Sequence, residues 1–186
     1  MAIEEILYQR RSIRKYQQVP VEIEKIQKLM TAALLAPSGR GIDPQRFIVV
    51  NDSGLLNKLA QAREHGSSFL NGAPLVIVIL GDSCLSDTWT EDAAIAATFI
   101  QLTAESLGLG SCWVQVRNRS HNESITTEDY VSSLLKIPKN MKVECMIGIG
   151  YPAEQKIGKT EKELTYNRVF WNEYGVIQKD LRTDEV

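Results

Sequence analysis

Histidine and cysteine are scarce in this chain. Its 186 residues hold two histidines, His65 and His121, and three cysteines, Cys84, Cys112 and Cys145. The cysteines are odd in number, widely spaced and without a Cys-x-x-Cys. They supply neither a disulfide framework nor a metal motif, and they suit a reducing, cytoplasmic setting. Both histidines sit in polar, loop-like stretches and read as surface residues. A histidine metal site or a Ser-His-Asp triad would need one of them, and neither has a recognisable partner motif. Long apolar runs are missing too. The best, Ala73 to Leu80, is strand length, so no segment would span a membrane as a helix, and Met-Ala-Ile-Glu-Glu does not begin a secretory signal. Neither Gly-x-Gly-x-x-Gly between a strand and a helix nor Gly-x-x-x-x-Gly-Lys-Ser/Thr occurs, which excludes the Rossmann and P-loop ways of holding a nucleotide. Excess positive charge is also lacking. Lys and Arg total 21 against 23 Asp and Glu, for a formal charge of −2, a poor balance for a nucleic-acid partner.

What is present describes one soluble α+β domain over residues 1–186. Hydrophobic residues make up 44% of the chain, enough for a substantial single core. A short helix is expected over Ile3 to Tyr8, and a second from Val19-Pro20-Val21-Glu22 through Ala33, ending at the breaker-rich Ala36-Pro37-Ser38-Gly39-Arg40-Gly41. Further helices are expected over Leu55 to Arg63, Glu91 to Leu107 and Tyr130 to Lys136. Strands are expected at Arg46–Val50, Ala73–Leu80, Ser111–Val116 and Lys142–Ile149. The second of these is apolar on both faces, hence central and covered on both sides. Helices on both faces of a sheet follow, with a core over about residues 1–152 and a polar tail over about 153–186 that packs on something else. Ala93, Ala94, Ala96 and Ala97 give the long helix a face that another backbone can approach closely.

The chemistry concentrates at Arg10-Arg11-Ser12-Ile13-Arg14-Lys15-Tyr16, where four cations and a hydroxyl fall within seven residues. Arg forks two donors onto a phosphate and Ser adds a compact third, so a small phosphorylated ligand is one reading. A solvated basic helix end is the other.

Seven segments, in order, resemble the nitroreductase family of FMN-dependent flavoproteins. They are Arg10–Tyr16, Ala36-Pro37-Ser38-Gly39, Ala73–Val78, Trp89–Ala94, Leu107–Trp113, Gly148-Ile149-Gly150-Tyr151-Pro152 and Tyr166-Asn167-Arg168. The resemblance implies a layered fold with a central mixed or antiparallel sheet, and an intertwined homodimer with FMN at the subunit interface. It makes Arg10, Arg11 and Ser12 candidates for the phosphate or ribityl chain, puts Arg14 near the flavin pyrimidine, and makes Arg168 a second phosphate ligand. Trp113-Val114-Gln115 would pass along the isoalloxazine, with the Gln115 backbone N–H on flavin N5. Pro37, Ser38 and Gly39 would reach the flavin held mainly by the other subunit. Here the chain departs from the family's Asn-x-Gln-Pro-Trp and reads Gly41-Ile42-Asp43-Pro44-Gln45. Asp43 would put a carboxylate near the flavin, opposing negative charge on the reduced ring unless Arg40 or Arg46 neutralises it. The implied activity is ping-pong hydride transfer from NADH or NADPH through flavin N5 to a nitroaromatic, quinone or similar small acceptor, with no catalytic side chain. The alternatives are a non-catalytic FMN-binding or sensor protein, a specialised flavoenzyme (dehalogenation, flavin cleavage), and an anion-binding domain without flavin.

Overall fold

A computed structural model describes residues 2–177 of the chain, so the last part of the expected tail, residues 178–186, lies outside the described residues. Helices α1 (Ile3–Gln9) and α2 (Ile23–Leu34) precede strand β1 (Gln45–Val50) and helix α3 (Ser53–Leu59). Strand β2 (Leu75–Asp82), helix α4 (Trp89–Ser106), strand β3 (Gly110–Gln115), helix α5 (Thr127–Leu135) and strand β4 (Met141–Gly150) follow. The fold is α+β. Its sheet has the order β1-β2-β4-β3, and of the two arrangements expected it takes the antiparallel one at every pairing.

The period of two along β2 builds two cores. Leu75, Ile77 and Ile79 point to one face with Ile147 and Ile149 of β4, where α2 and α4 cover them through Leu29, Ala33, Ala93, Ala97 and Ile100. Val76, Val78 and Leu80 point to the other face with Met146, beneath Leu56 and Leu59 of α3 and Val131 of α5. Each fully buried Leu or Ile contributes about 1.5–3 kcal/mol relative to exposure. The alanines of α4 are used on its own sheet: Ala93, Ala96 and Ala97 are fully buried within the chain.

Three helices differ clearly in extent from the pattern-based expectation, the second because it begins at Ile23, with the extended Glu22 as its N-cap, rather than at Val19. The third begins at Ser53, where the Asp52 carboxylate caps the Leu55 N–H at 2.8 Å, and stops at Leu59. The buried Ser67 hydroxyl then donates to the Ala60 carbonyl (2.8 Å) and accepts from the Arg63 N–H (3.1 Å), turning residues 60–67 away from the helix. The fifth begins three residues before Tyr130, because Thr126 accepts the Asp129 N–H at 3.0 Å as an N-cap.

At the start of β3, Gly110 lies against the N-terminal segment, and a Cβ there would stand 2.7 Å from Cβ of Ile13. Gly110→Ala is therefore expected to destabilise the protein by about 1–3 kcal/mol through overpacking, read as a lowered denaturation midpoint at fixed protein concentration. An unchanged midpoint would show that the N-terminal segment is not held against β3 in solution.

Candidate functional site

The basic segment is fixed to the sheet by its backbone. After α1 the chain lies beside β3, where the Ile13 N–H donates to the Ser111 carbonyl at 3.0 Å and Ser12 forms a parallel bridge to Ser111. Tyr16, buried, closes the segment: its hydroxyl donates to the Ile13 carbonyl at 2.5 Å and lies 3.0 Å from the Gly148 carbonyl. Burial pushes this phenol far above its usual range. Between these anchors Ile13 faces the core, while Arg10 and Ser12 are half-buried and Arg14 is exposed.

The tail begins by binding this same segment of its own chain. The Ala153 N–H donates to the Lys15 carbonyl at 2.9 Å, and one Glu154 oxygen accepts the N–H groups of Arg14 (2.6 Å) and Lys15 (3.2 Å). The Lys156 ammonium donates to the Ser12 carbonyl and sits 3.5 Å from Glu154. The Arg11 guanidinium donates to the Ile157 carbonyl, so this arginine is at least partly a structural strut. Further on, the Lys159 N–H donates to the Tyr8 carbonyl at 2.8 Å. Glu154 and Lys156 escaped the sequence reading because their partners lie some 140 positions away. An open groove of about 1010 Å³ runs beside this junction, lined among others by Arg11, Ile13, Glu105, Gly110, Glu154 and Lys156. Burial pushes the Cys112 thiol up, while Arg14, a hydrogen bond with Ser12, Lys156 and Arg10 pull it down, so these four groups converge on the start of β3.

Trp113, Val114 and Gln115 carry that surface along β3, which is an edge strand. Ser111 presents its carbonyl to Ile13 on the outer side, and Val116 gives its N–H to the Glu144 carbonyl on the inner side. Strand alternation then leaves the N–H groups of Trp113 and Gln115 on the outer edge. Gln115 stands about 13 Å along the strand from Ser111. Its side chain is held firmly: the amide oxygen accepts from Trp113 Nε1 at 2.9 Å, and Nε2 donates to the Arg117 carbonyl at 3.1 Å.

Pro37, Ser38, Gly39, Gly41 and Asp43 are elsewhere. The Gly39 N–H donates to the buried Asp92 carboxylate at 2.8 Å, and a Cβ on Gly39 would collide with the Thr88 hydroxyl. This loop therefore sits on the first turn of α4, whereas Arg10 and Arg11 border Glu105 in its last turn. Asp92 and Glu105 are about 20 Å apart along a helix rising 1.5 Å per residue. Backbone angles of φ 57 at Arg40, 67 at Gly41 and 53 at Asp43 curl the loop tightly. Among the described residues, neither Arg40 nor Arg46 pairs with the Asp43 carboxylate. That carboxylate instead accepts the Ser38 hydroxyl at 2.6 Å, Arg46 donates to the Asp43 and Gln45 carbonyls, and Arg40 pairs with Asp87 at 2.5 Å.

Arg168 lies on an exposed turn, Tyr166–Arg168. Tyr166 approaches Tyr8, whose phenol is pushed up by burial and by the nearby Glu161 and Tyr166, so the tail is still beside α1 at this point. His121 is less free than a surface residue: it stacks on Tyr130 at 4.1 Å, with Nδ1 3.1 Å from the Ala62 carbonyl.

This donor set fits a flavin mononucleotide. Among the described residues, neither Arg10 nor Arg14 has a carboxylate within 4.0 Å, and the outward N–H groups of β3 continue from the segment that carries them. Comparison with known proteins agrees: the profile of the nitroreductase family matches residues 7–65 and 58–151. The chain belongs to the nitroreductase family. The crystal structure of an FMN-dependent nitroreductase from Clostridium difficile R20291 superposes with a TM-score of 0.90 at 49% identity, over 91% of this chain and 98% of that one. An Archaeoglobus fulgidus protein provisionally named NADH dehydrogenase/NAD(P)H nitroreductase is 37% identical over 155 residues, 81% of this chain and 86% of its own length. The NADPH:FMN oxidoreductase of Vibrio harveyi, solved with NAD+, superposes with a TM-score of 0.79 at 25% identity, covering 96% of this chain and 80% of that one.

The Arg14 N–H, followed by Lys15 and Lys156, holds the Glu154 carboxyl below the ordinary carboxylate value near 4.3. A depressed pKa contributes stability that is complete above the unfolded value and fades as pH falls through the folded one. Glu154→Ala is accordingly expected to lower the melting temperature at pH 7, with the gap from the native protein narrowing as pH drops below about 4.3. A gap constant across that range in thermal melts would remove the ionic contribution.

Proposed function

We propose that this nitroreductase-family chain is an FMN-dependent NAD(P)H oxidoreductase that passes hydride to a nitroaromatic, quinone or similar small acceptor. The observation that carries the reading is the docking of Ser12 on the outer edge of β3. It sets Arg10 and Arg14, both without carboxylate partners among the described residues, on the strand edge that presents the Gln115 N–H. Bound along that edge, FMN would supply the hydride relay between a nicotinamide donor and the acceptor. The residues would supply position and charge. Arg10 and Ser12 suit the phosphate, to which the family resemblance adds Arg168. Arg14 offers fixed positive charge for the pyrimidine end, where electrons accumulate on reduction, and so favours hydride uptake. The Gln115 N–H suits an acceptor nitrogen of the ring. No side-chain nucleophile is required. Donor and acceptor would use one open face in turn, which is a ping-pong order.

A second copy of the chain completes this arrangement. The Pro37–Asp43 loop stands about a helix length from the basic segment of its own chain. The loop therefore serves a flavin only if it reaches the one held by a partner. Exposed apolar residues, among them Leu34, Leu35, Phe99, Trp171 and Tyr174, supply surface for such a homodimer.

The purified protein is expected to carry a yellow flavin that bleaches stoichiometrically on anaerobic titration with NADH or NADPH, and to recover colour on adding a quinone. Arg10→Ala should weaken FMN binding by about 10- to 100-fold, the loss of a charge-assisted hydrogen bond. A colourless protein that takes up no added FMN would overturn the reading, whereas bound flavin that fails to bleach would favour the non-catalytic alternative.

A further inference from the structure

The mechanism outlined above leaves one buried charge without a task. Glu144 lies inside β4 and is 6% exposed. Its position is the product of a β-bulge. Ile79 of β2 faces Cys145, but its neighbour Leu80 faces Val143, so Glu144 is the extra residue skipped between them. On the β3 side its carbonyl accepts two successive N–H groups, from Val116 (3.2 Å) and Arg117 (3.1 Å). Bulges of this kind bend a strand and re-aim one side chain, and they recur beside active sites.

Here the re-aimed group is a carboxylate beneath the end of β3. Oε1 accepts the Gln115 amide at 3.2 Å, and Gln115 in turn holds Trp113 at 2.9 Å. Oε2 is buried and has no hydrogen-bond partner among the described residues. Among the described residues the one cation within 4.0 Å of it is Arg117, whose Nε stands 4.0 Å away, too far for a hydrogen bond, and whose side chain is 40% exposed. That guanidinium also extends over the Trp89 ring, 5.8 Å from its centroid. A buried carboxylate oxygen without a donor is costly, and a hydrophobic side chain of similar volume would hold the bulge without that cost. The local packing therefore leaves the charge unexplained. Its neighbour in the network explains it: Gln115 is the residue whose outward N–H faces the proposed flavin.

We propose that Glu144 is a positioning residue that fixes the Trp113–Gln115 edge and, through its charge, lowers the reduction potential of the flavin held there. The inference rests on the flavin reading above. A fixed anion behind the ring opposes the negative charge gained on two-electron reduction, making the reduced cofactor a stronger hydride donor. Arg14 and Glu144 then act as opposed charges on the two sides of the cofactor, and the weakly coupled Arg117 partly offsets the latter.

The test is the midpoint potential of protein-bound FMN, measured spectroelectrochemically in the native protein, in Glu144→Gln and in Arg117→Gln. Glu144→Gln keeps the shape and the contact with Gln115 but removes the charge, and it should shift the potential upward. Arg117→Gln exposes the anion and should shift it downward. Opposite shifts are the signature of charge, which a purely structural role would not produce. Unchanged potentials with flavin bound, or shifts of the same sign, would overturn the proposal. If Glu144→Gln fails to fold, the Arg117→Gln potential alone decides, because no downward shift there removes the electrostatic role. A native protein that binds no FMN would defeat the functional reading itself, an outcome separate from these.

Discussion

The hydrogen bond from the Ile13 N–H to the Ser111 carbonyl ties together almost everything else in the molecule. Residues 10–16 belong to no sheet or helix of their own, and their cations would otherwise be scattered by side-chain entropy. Once Ser12 pairs with the edge of β3, the spacing of Arg10, Ser12 and Arg14 becomes that of an extended strand, with alternate residues on a common side. Tyr16 and Glu154 then hold the backbone from opposite directions. The arginines are thus positioned by main chain and keep their donors for a ligand. An edge strand normally needs protection from other chains. β3 is covered at its Ser111 end by this pairing and is left open toward Gln115, which makes the open part a place to bind rather than a defect.

Helix α4 sets the other dimension of the site. Its first turn holds the Gly39 loop through Asp92, and its last turn borders the basic segment. A rigid helix of 18 residues cannot bring its two ends together. The loop and the arginines can therefore share a ligand only across a two-fold relation between chains, in which each copy supplies what the other lacks. On the alanine face of α4, Ala93 and Ala97 are buried against β2 and β4. Small residues allow α4 to approach the sheet closely, while larger apolar groups such as Leu34, Leu35 and Phe99 stay exposed.

Much of this was legible in the sequence, because the decisive signals were local. The doubly apolar Leu75–Leu80 run announced a central strand, and its alternation sorted residues between the two cores without ambiguity. The basic cluster and the Ser-Cys-Trp-Val-Gln strand stood out as separate motifs, but their adjacency did not, since one parallel bridge between Ser12 and Ser111 leaves no periodicity to read. Glu154 and Lys156 look like ordinary surface charges until the tail is seen returning to Arg14 and Ser12. Glu144 was hidden for a different reason. A bulge shifts the face of a single residue, so a charge inside an apolar strand reads as outward-facing when it is in fact buried. Helix ends were misjudged where a side chain, Ser67 or Thr126, decided the boundary rather than apolar spacing.

The departure at Gly41–Gln45 takes on a defined physical meaning once the loop is seen as a closed unit. Asp43 does not reach out as a free carboxylate. Its oxygen receives the Ser38 hydroxyl and its N–H returns to the same Ser38 oxygen, so the two residues satisfy each other. Two polar groups that the resemblance would offer to a ligand are thereby internally paired, and either must break a charge-assisted bond before it can serve one. The burden of recognition moves to the backbone of the loop and to the bulk beyond it. There the family's Trp is replaced by Gln45, a buried side chain whose amide oxygen has no partner among the described residues. Gln45 offers no ring to stack on, and the shape of the loop is held instead by its own Ser38–Asp43 pair and by the Gly39 contact with Asp92.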